Sequence, residues 1–235
     1  MSISFPEFPP GYPGKKTGAA QSVLAETHRP LRRRGIYRNG IKRALDITAI
    51  VMAVPIVLPV VAALAVLVAC DGGQPFYTQV RVGKDGRSFR MWKLRSMVAD
   101  ADARMTEHLT ASPAARAEWD STQKLKNDPR ITRFGQFLRK SSLDELPQLW
   151  NVLLGDMSLV GPRPMMTSQQ SMYSGTAYYA LRPGITGYWQ TAGRNATTFE
   201  ARAGFDTAYE ADLSLGTDVK LLVQTVGVVM KATGY

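Results

Sequence analysis

The 235-residue chain has a single cysteine, Cys70. No intrachain disulfide can form, which agrees with a reducing compartment. There are two histidines, His28 and His108, and neither sits at metal-ligand spacing. A histidine-dependent triad and a histidine-rich metal centre are therefore excluded as readings. No GxGxxG, no Walker loop and no internal repeat occurs. Negative charge is scarce at one end. Residues 1–45 hold nine Lys/Arg against two acids, whereas the other 190 hold 20 against 17, so most of the net +10 belongs to the N-terminal arm. A near-balanced remainder does not describe a broadly basic nucleic-acid binder.

The arm is rich in proline, glycine and arginine. Residues 1–34 run from "PEFPPGYPGKK" to "HRPLRRRG" with no apolar periodicity, and they read as disordered. Arg32, Arg33 and Arg34 lie just before a long apolar run. Such a basic stretch attracts anionic lipid, at about 1 kcal/mol per residue near a surface.

Residues 47–70, "ITAIVMAVPIVLPVVAALAVLVAC", carry no charge. As a straight helix they would reach ~36 Å, enough for a ~30 Å hydrocarbon layer. Pro55 and Pro59 interrupt that picture. Each removes a helix N–H, and at a spacing of four both faults open on one face. Two readings of the residues stand: a kinked spanning helix, or a helix broken in the middle that enters and leaves by one face. Lys and Arg crowd both flanks, from Arg29 to Arg43 and from Arg81 to Arg95. Because positive charge stays cytoplasmic, that balance favours the re-entrant hairpin. "LVAC" before Asp71 looks like a lipoprotein cleavage box, but 46 residues precede the 24-residue apolar core, which is too long for a signal peptide.

Residues 76–97 predict a β-hairpin around the turn "GKDG". Residues 98–123 predict helix, with "DAD" at 100–102 as polar surface. The densest chemistry lies in residues 126–164. Lys126, Arg130, Arg133, Arg139 and Lys140 precede the adjacent acids Asp144 and Glu145, and "GPRP" holds Arg163 between two prolines. "SLDE" fits a capping box with Ser142 as N-cap and Glu145 at N3. Pro147 sits awkwardly in it, one turn in, where a helix needs an N–H. Among several arginines, two carboxylates can instead hold a divalent cation against a diphosphate. A carboxylate can also attack phosphorus, while arginines meet the phosphates in bidentate fashion. In "LRPGITGYWQTAGRN", Arg182 and Arg194 flank Tyr188 and Trp189. Arginines and aromatics on turns suit a nucleotide, and equally suit loop packing.

The motifs "KLRSM", "SSLDELPQLWNVLLGDMSLVGPRP" and "LRPGITGYWQTAGRN" resemble the bacterial sugar transferases, the monotopic phosphoglycosyl transferases. The resemblance covers residues 41 to 231, and the arm has no counterpart. It implies transfer of a hexose-1-phosphate, galactose or glucose, from a UDP-sugar to undecaprenyl phosphate. UMP is released and an exopolysaccharide repeat unit is started. It implies that Asp144 forms a phosphosugar-aspartyl intermediate, assisted by Glu145, with Mg²⁺ held by the two acids. Arg139, Arg163, Arg182 and Arg194 are implied as phosphate-binding groups. The family's membrane segment is a re-entrant helix broken at a proline, which Pro59 matches. Leu58 stands where a serine is common, and Pro55 one turn earlier is a second candidate for the break. "DTAYEADLSLGTD", 206–218, is less aromatic than is usual in the family.

The resulting expectation is a mixed α/β, mainly helical protein. A disordered basic arm (1–40) precedes a re-entrant membrane helix hairpin (41–71). A compact cytosolic α+β catalytic domain (72–235) follows, with a small β-hairpin and interfacial helices. The expected location is the cytoplasmic face of a bacterial inner membrane. The expected partners are UDP-sugar, undecaprenyl phosphate and anionic lipids, without nucleic acid. A homo-oligomer is compatible with the sequence. The alternative is a membrane-anchored scaffold or regulatory subunit without chemistry.

Overall fold

The structure, a computed structural model, describes residues 35–70, 72–122, 125, 127–192, 199 and 201–230. The arm to residue 34, His28, Lys126 and Arg194 lie outside the described residues.

The uncharged run forms one long helix, α1 (Lys42–Ala69), preceded by a π-helical turn, Tyr37–Ile41. By length and composition the stretch Tyr37–Ala69 suffices to cross a membrane. The helical assignment continues through Pro55 and Pro59 rather than splitting into two helices. Each proline deprives one carbonyl of its donor but keeps a helical φ, so the neighbouring bonds survive. Val51, Met52, Ile56, Leu58 and Val60 are exposed, and no residue from 51 to 63 is buried. Water does not accept so long an apolar surface without cost.

Both ends of α1 pack on the same body. Next come β1 (Phe76–Val82) and β2 (Ser88–Leu94), an antiparallel hairpin in register from Phe76↔Leu94 to Val82↔Ser88. Its turn passes through Asp85 and Gly86, at φ 57 and 75. Ile50 packs into one cluster with Met91, Val152 and Met157, while Leu64, Ala65 and Val68 share another with Leu94 and Leu138. Met91 and Leu94 are about 10 Å apart along a strand. Ile50 and Leu64 would be ~21 Å apart on a straight helix. Arg95 Nη2 also donates to the Val68 carbonyl at 2.8 Å.

Two helices over the expected stretch follow, α2 (Ala101–Ala111) and α3 (Pro113–Thr122). Asp100, the first acid of "DAD", pairs only with Arg104 on the exposed surface among the described residues. Then come α4 (Arg133–Ser141), α5 (Gln148–Leu154) and β3 (Ser158–Val160). The chain continues with α6 (Ala177–Ala180), β4 (Gly184–Thr186), α7 (Tyr188–Ala192), α8 (Arg202–Asp212) and α9 (Leu215–Met230). β3 and β4 pair in parallel, Ser158↔Gly184 and Val160↔Thr186. The architecture is thus mostly helical with two small sheets.

Side-chain polar groups fix the layers. Asn151, fully buried, donates to the Arg90 carbonyl at 2.7 Å and accepts the Trp92 N–H at 3.0 Å, locking α5 to β2. The foot of α1 is docked by charge: Asp46 accepts from Ser158 Oγ at 2.6 Å, Arg38 meets Glu210 at 2.8 Å, and Asp218 accepts from Tyr37 and Tyr209 and pairs with Lys42. A helix whose base is tied this firmly to α8, α9 and β3 cannot swing freely from the body.

Candidate active site

α4 positions the acidic pair. Its N-cap Thr132 accepts the Gly135 N–H on its side chain at 2.9 Å. Gly135 then lies flat against the end of β2: a Cβ there would meet the Ser96 carbonyl oxygen at 2.0 Å. One turn later this close approach lets Arg139 Nε donate to Ser96 Oγ at 2.9 Å. α4 ends at Ser142, whose φ of 56 is left-handed. A 3₁₀ turn, Leu143–Glu145, follows at once.

The expected capping box does not form. Ser142 is the C-cap of α4, and its side chain makes no cap bond. A left-handed residue cannot adopt the extended backbone that an N-cap requires. Pro147 is no longer awkward, because α5 starts afresh at Gln148 and the proline stands just before its first residue. The acids therefore occupy a tight turn between two helices, not a helix start.

Asp144 is 6% exposed. Burial pushes its carboxyl above the usual range, and Glu145 adds to the rise; Lys93 and Arg139 oppose it. Lys93, on β2, places Nζ 3.6 Å from Asp144 Oδ2 and 2.9 Å from Glu145 Oε1. Arg163 Nη2 approaches Glu145 Oε1 at 3.9 Å. Burial lowers the Arg139 guanidinium, and Asp144 works against that. Two adjacent carboxylates and three cations from other elements thus meet at one turn.

Among the described residues no group of three or more His, Cys, Asp or Glu gathers around a metal-sized space. Two adjacent carboxylates nevertheless suit Mg²⁺, which keeps most of its waters and binds through one or two carboxylates plus substrate phosphates. Lys93 already neutralises part of the pair, so such an ion would be shared with an anionic substrate.

The fold separates the anticipated arginines. Arg139 and Arg163 stand at the acidic pair. Arg182 does not: its Nε donates to the Gly155 carbonyl at 2.8 Å. Beside it Arg43 donates to the carbonyls of Val152 and Leu153. Both guanidiniums cap the C-terminus of α5, where partial negative charge collects. Lys93 was not singled out by pattern. In sequence it reads as one of the positive charges flanking the apolar run; its place in "KLRSM" was the available signal. Arg81 and Arg202 also come near Arg163, as shown by its field on both.

On the other side of Glu145 lies a cleft of about 220 Å³. Leu143, Leu146, Leu149, Ile185 and Val228 line it, with Thr186 and Gln190. Leu143 and Leu146 also pack against the cluster that holds Leu64, Ala65 and Val68 of α1 together with Leu94 and Leu138. The acidic turn therefore stands between a cationic face and an apolar one.

The family model for bacterial sugar transferases matches residues 37–232. Over 196 residues the chain is 48% identical to the UDP-galactose-lipid carrier transferase of Erwinia amylovora, covering 83% of this chain and 41% of that protein. It is 45% identical to the undecaprenyl-phosphate galactose phosphotransferase of Salmonella typhimurium, again over 83% and 41%. It is 41% identical to the exopolysaccharide production protein ExoY of Rhizobium meliloti, over 82% of this chain and 87% of that one. The chain thus spans about two fifths of the length of the first two relatives and most of the third.

Proposed function

The chain belongs to the bacterial sugar transferase family, and from that premise we propose that it moves a hexose-1-phosphate, galactosyl or glucosyl, from a UDP-sugar to undecaprenyl phosphate. The product would begin an exopolysaccharide repeat unit. The observation that carries this reading is the buried Asp144–Glu145 turn, ringed by Lys93, Arg139 and Arg163 and bordered by an apolar cleft against α1.

In the first step an Asp144 oxygen attacks the sugar-bearing phosphorus. A new O–P bond forms, the bridging P–O bond breaks, and UMP leaves with the electron pair. In the second step a phosphate oxygen of the lipid attacks the same phosphorus. The aspartyl O–P bond breaks, the Asp144 carboxylate is restored, and the lipid-linked diphosphate sugar departs. Lys93 and Arg139 hold Asp144 in place and favour its ionised form. Arg163 and Arg139 neutralise the phosphoryl oxygens. Glu145 and Asp144 would hold Mg²⁺, which neutralises diphosphate charge when bound.

Orientation follows the same reading. With both ends of α1 docked on one body, the exposed middle around Pro55 and Pro59 is the part left to enter lipid. That supports a wedge in the inner leaflet of the bacterial inner membrane, with the acidic turn at headgroup depth on the cytoplasmic side. UDP-sugars are cytosolic and the lipid phosphate reaches the interface, so both substrates could meet there. The test is incubation of membranes bearing the protein with a panel of UDP-sugars and polyprenyl phosphate. UMP release should need both the protein and a divalent cation, and Asp144→Asn should abolish it while membrane retention stays intact. Undiminished release by that variant would end the proposal and favour a scaffold.

A further inference from the structure

We propose that Arg81, Arg163 and Arg202 form an outer anion site that holds the phosphate of the departing UMP and retains the nucleotide after sugar-phosphate transfer. This deepens, and rests on, the reading just given.

The three come from distant parts of the chain: Arg81 from β1, Arg163 from the "GPRP" loop, and Arg202 from the start of α8. Arg163 and Arg202 lie over the Trp189 ring, and Arg81 is close enough for its charge to act on the group. The Arg202 guanidinium carbon lies 4.5 Å from that ring's centroid and the Arg163 carbon 5.6 Å from it. Arg202 also covers Phe199 at 4.9 Å. Arg81 donates from Nη2 to Gln79, while its buried Nε has no partner among the described residues.

Several other part-buried cations are matched by carboxylates. Arg130 takes Asp128 at 2.7 Å, Arg38 takes Glu210 at 2.8 Å, and Lys42 takes Asp218. Arg81 and Arg202 make no carboxylate contact within 4.0 Å among the described residues. Burial, reinforced by the neighbouring Arg163, pushes each of them down to about 10. Both remain charged at neutral pH. Gathering three part-buried guanidiniums is costly in the free protein, and the charges of Asp206 near Arg202 and Glu145 near Arg81 offset that cost only in part. An incoming anion would find that cost already met and the donors already aimed.

Position selects the anion. Lys93 and Arg139 are the cations at Asp144. Arg163 approaches Glu145 at 3.9 Å on one side and the Trp189 ring at 5.6 Å on the other, so the Arg202 end of the group lies one step away from the two carboxylates. In a diphosphate, that step is the nucleotide's own phosphate. When the bridging bond breaks, the electron pair stays on UMP, which leaves as a phosphate monoester dianion. Three fixed guanidiniums neutralise it without supplying a proton. The lipid acceptor is also a phosphate monoester, and the two sources must be told apart.

The experiment uses full-length protein in nanodiscs with Arg81→Met and Arg202→Met, methionine keeping much of the apolar volume. UMP affinity is measured directly by calorimetry, independent of turnover. UMP inhibition and the KM values for UDP-sugar and polyprenyl phosphate are measured kinetically. Each variant is expected to weaken UMP binding at least tenfold and relieve product inhibition. The KM for lipid phosphate should stay within twofold, and the ligand-free melting temperature should hold or rise. Unchanged UMP affinity would overturn the proposal. So would a raised KM confined to the lipid phosphate, or a fall in melting temperature without a specific loss of UMP binding. Wild-type protein that binds UMP through these arginines yet turns over no UDP-sugar would sink the transferase reading and leave the anion site standing.

Discussion

Replacing Gly135 with alanine sets two effects of opposite sign against each other. In an exposed helix interior the change should stabilise, by up to about 1 kcal/mol, because alanine loses less backbone entropy. Here the new methyl would lie 2.0 Å from the Ser96 carbonyl oxygen, and 2.8 and 2.9 Å from the next two backbone atoms. Ordinary contact begins near 3.4 Å, so α4 or the end of β2 must give by roughly 1.4 Å, and neither neighbour is a flexible side chain. Overpacking of this kind costs about 1–3 kcal/mol. Leu138, fully buried against Leu64 and Val68, shares the displacement. A net loss of about 2 kcal/mol lowers the melting temperature by about 4–8 °C for a chain of this size. The same shift drags Arg139 from Ser96, and a misplacement near 1 Å costs on the order of 100-fold in rate. Differential scanning fluorimetry in detergent and a UMP-release assay read the two losses. A melting temperature at or above wild type would refute the close approach of α4 to β2, and with it the account of how Arg139 is aimed.

Other outcomes follow from the same geometry. Lys93→Met leaves Asp144 and Glu145 facing each other without their shared cation. It should destabilise the fold by about 3 kcal/mol, and adding Glu145→Gln should restore more than half of that in a denaturant titration. Asp206 is buried beside Arg202 and accepts from Tyr173 at 2.9 Å, and burial raises its carboxyl from 3.8 to about 6. The folded protein then keeps a proton that the unfolded chain releases, so stability falls as pH rises from about 4 to 6, by about 3 kcal/mol. Asp206→Asn should flatten that part of the profile, and an unchanged slope relative to wild type would refute the assignment. Cys70 is exposed at the far end of α1. A cysteine placed at Ile41 in a Cys70→Ser background should react with a membrane-impermeant maleimide from the same side as native Cys70. Labelling from opposite sides would replace the folded-back wedge with a crossing.

Several features were legible in sequence because they are local. A charge-free run can only be a lipid-facing or deeply buried helix. "GKDG" between β-branched and aromatic runs can hardly be other than a hairpin turn. Asp144 and Glu145 amid arginines stand out as the densest cluster of opposite charge. The capping box was misread for a local reason of a different kind. Ser142 adopts a left-handed backbone so that α4 can stop and the acids can turn inward, and no spacing rule reports that choice.

What the sequence by itself determined was therefore the apolar anchor with its two prolines, the hairpin, and the Asp144–Glu145 centre. Each depends on neighbours within a few residues. Only the tertiary structure decided which cations serve that centre. It brought Lys93 across from β2, set Arg202 and Arg163 over one tryptophan ring, and sent Arg182 to the carbonyls that end α5. The reason is physical: a guanidinium or ammonium carries the same charge in any motif, and its partner is whichever anion or carbonyl the packed chain leaves within about 4 Å.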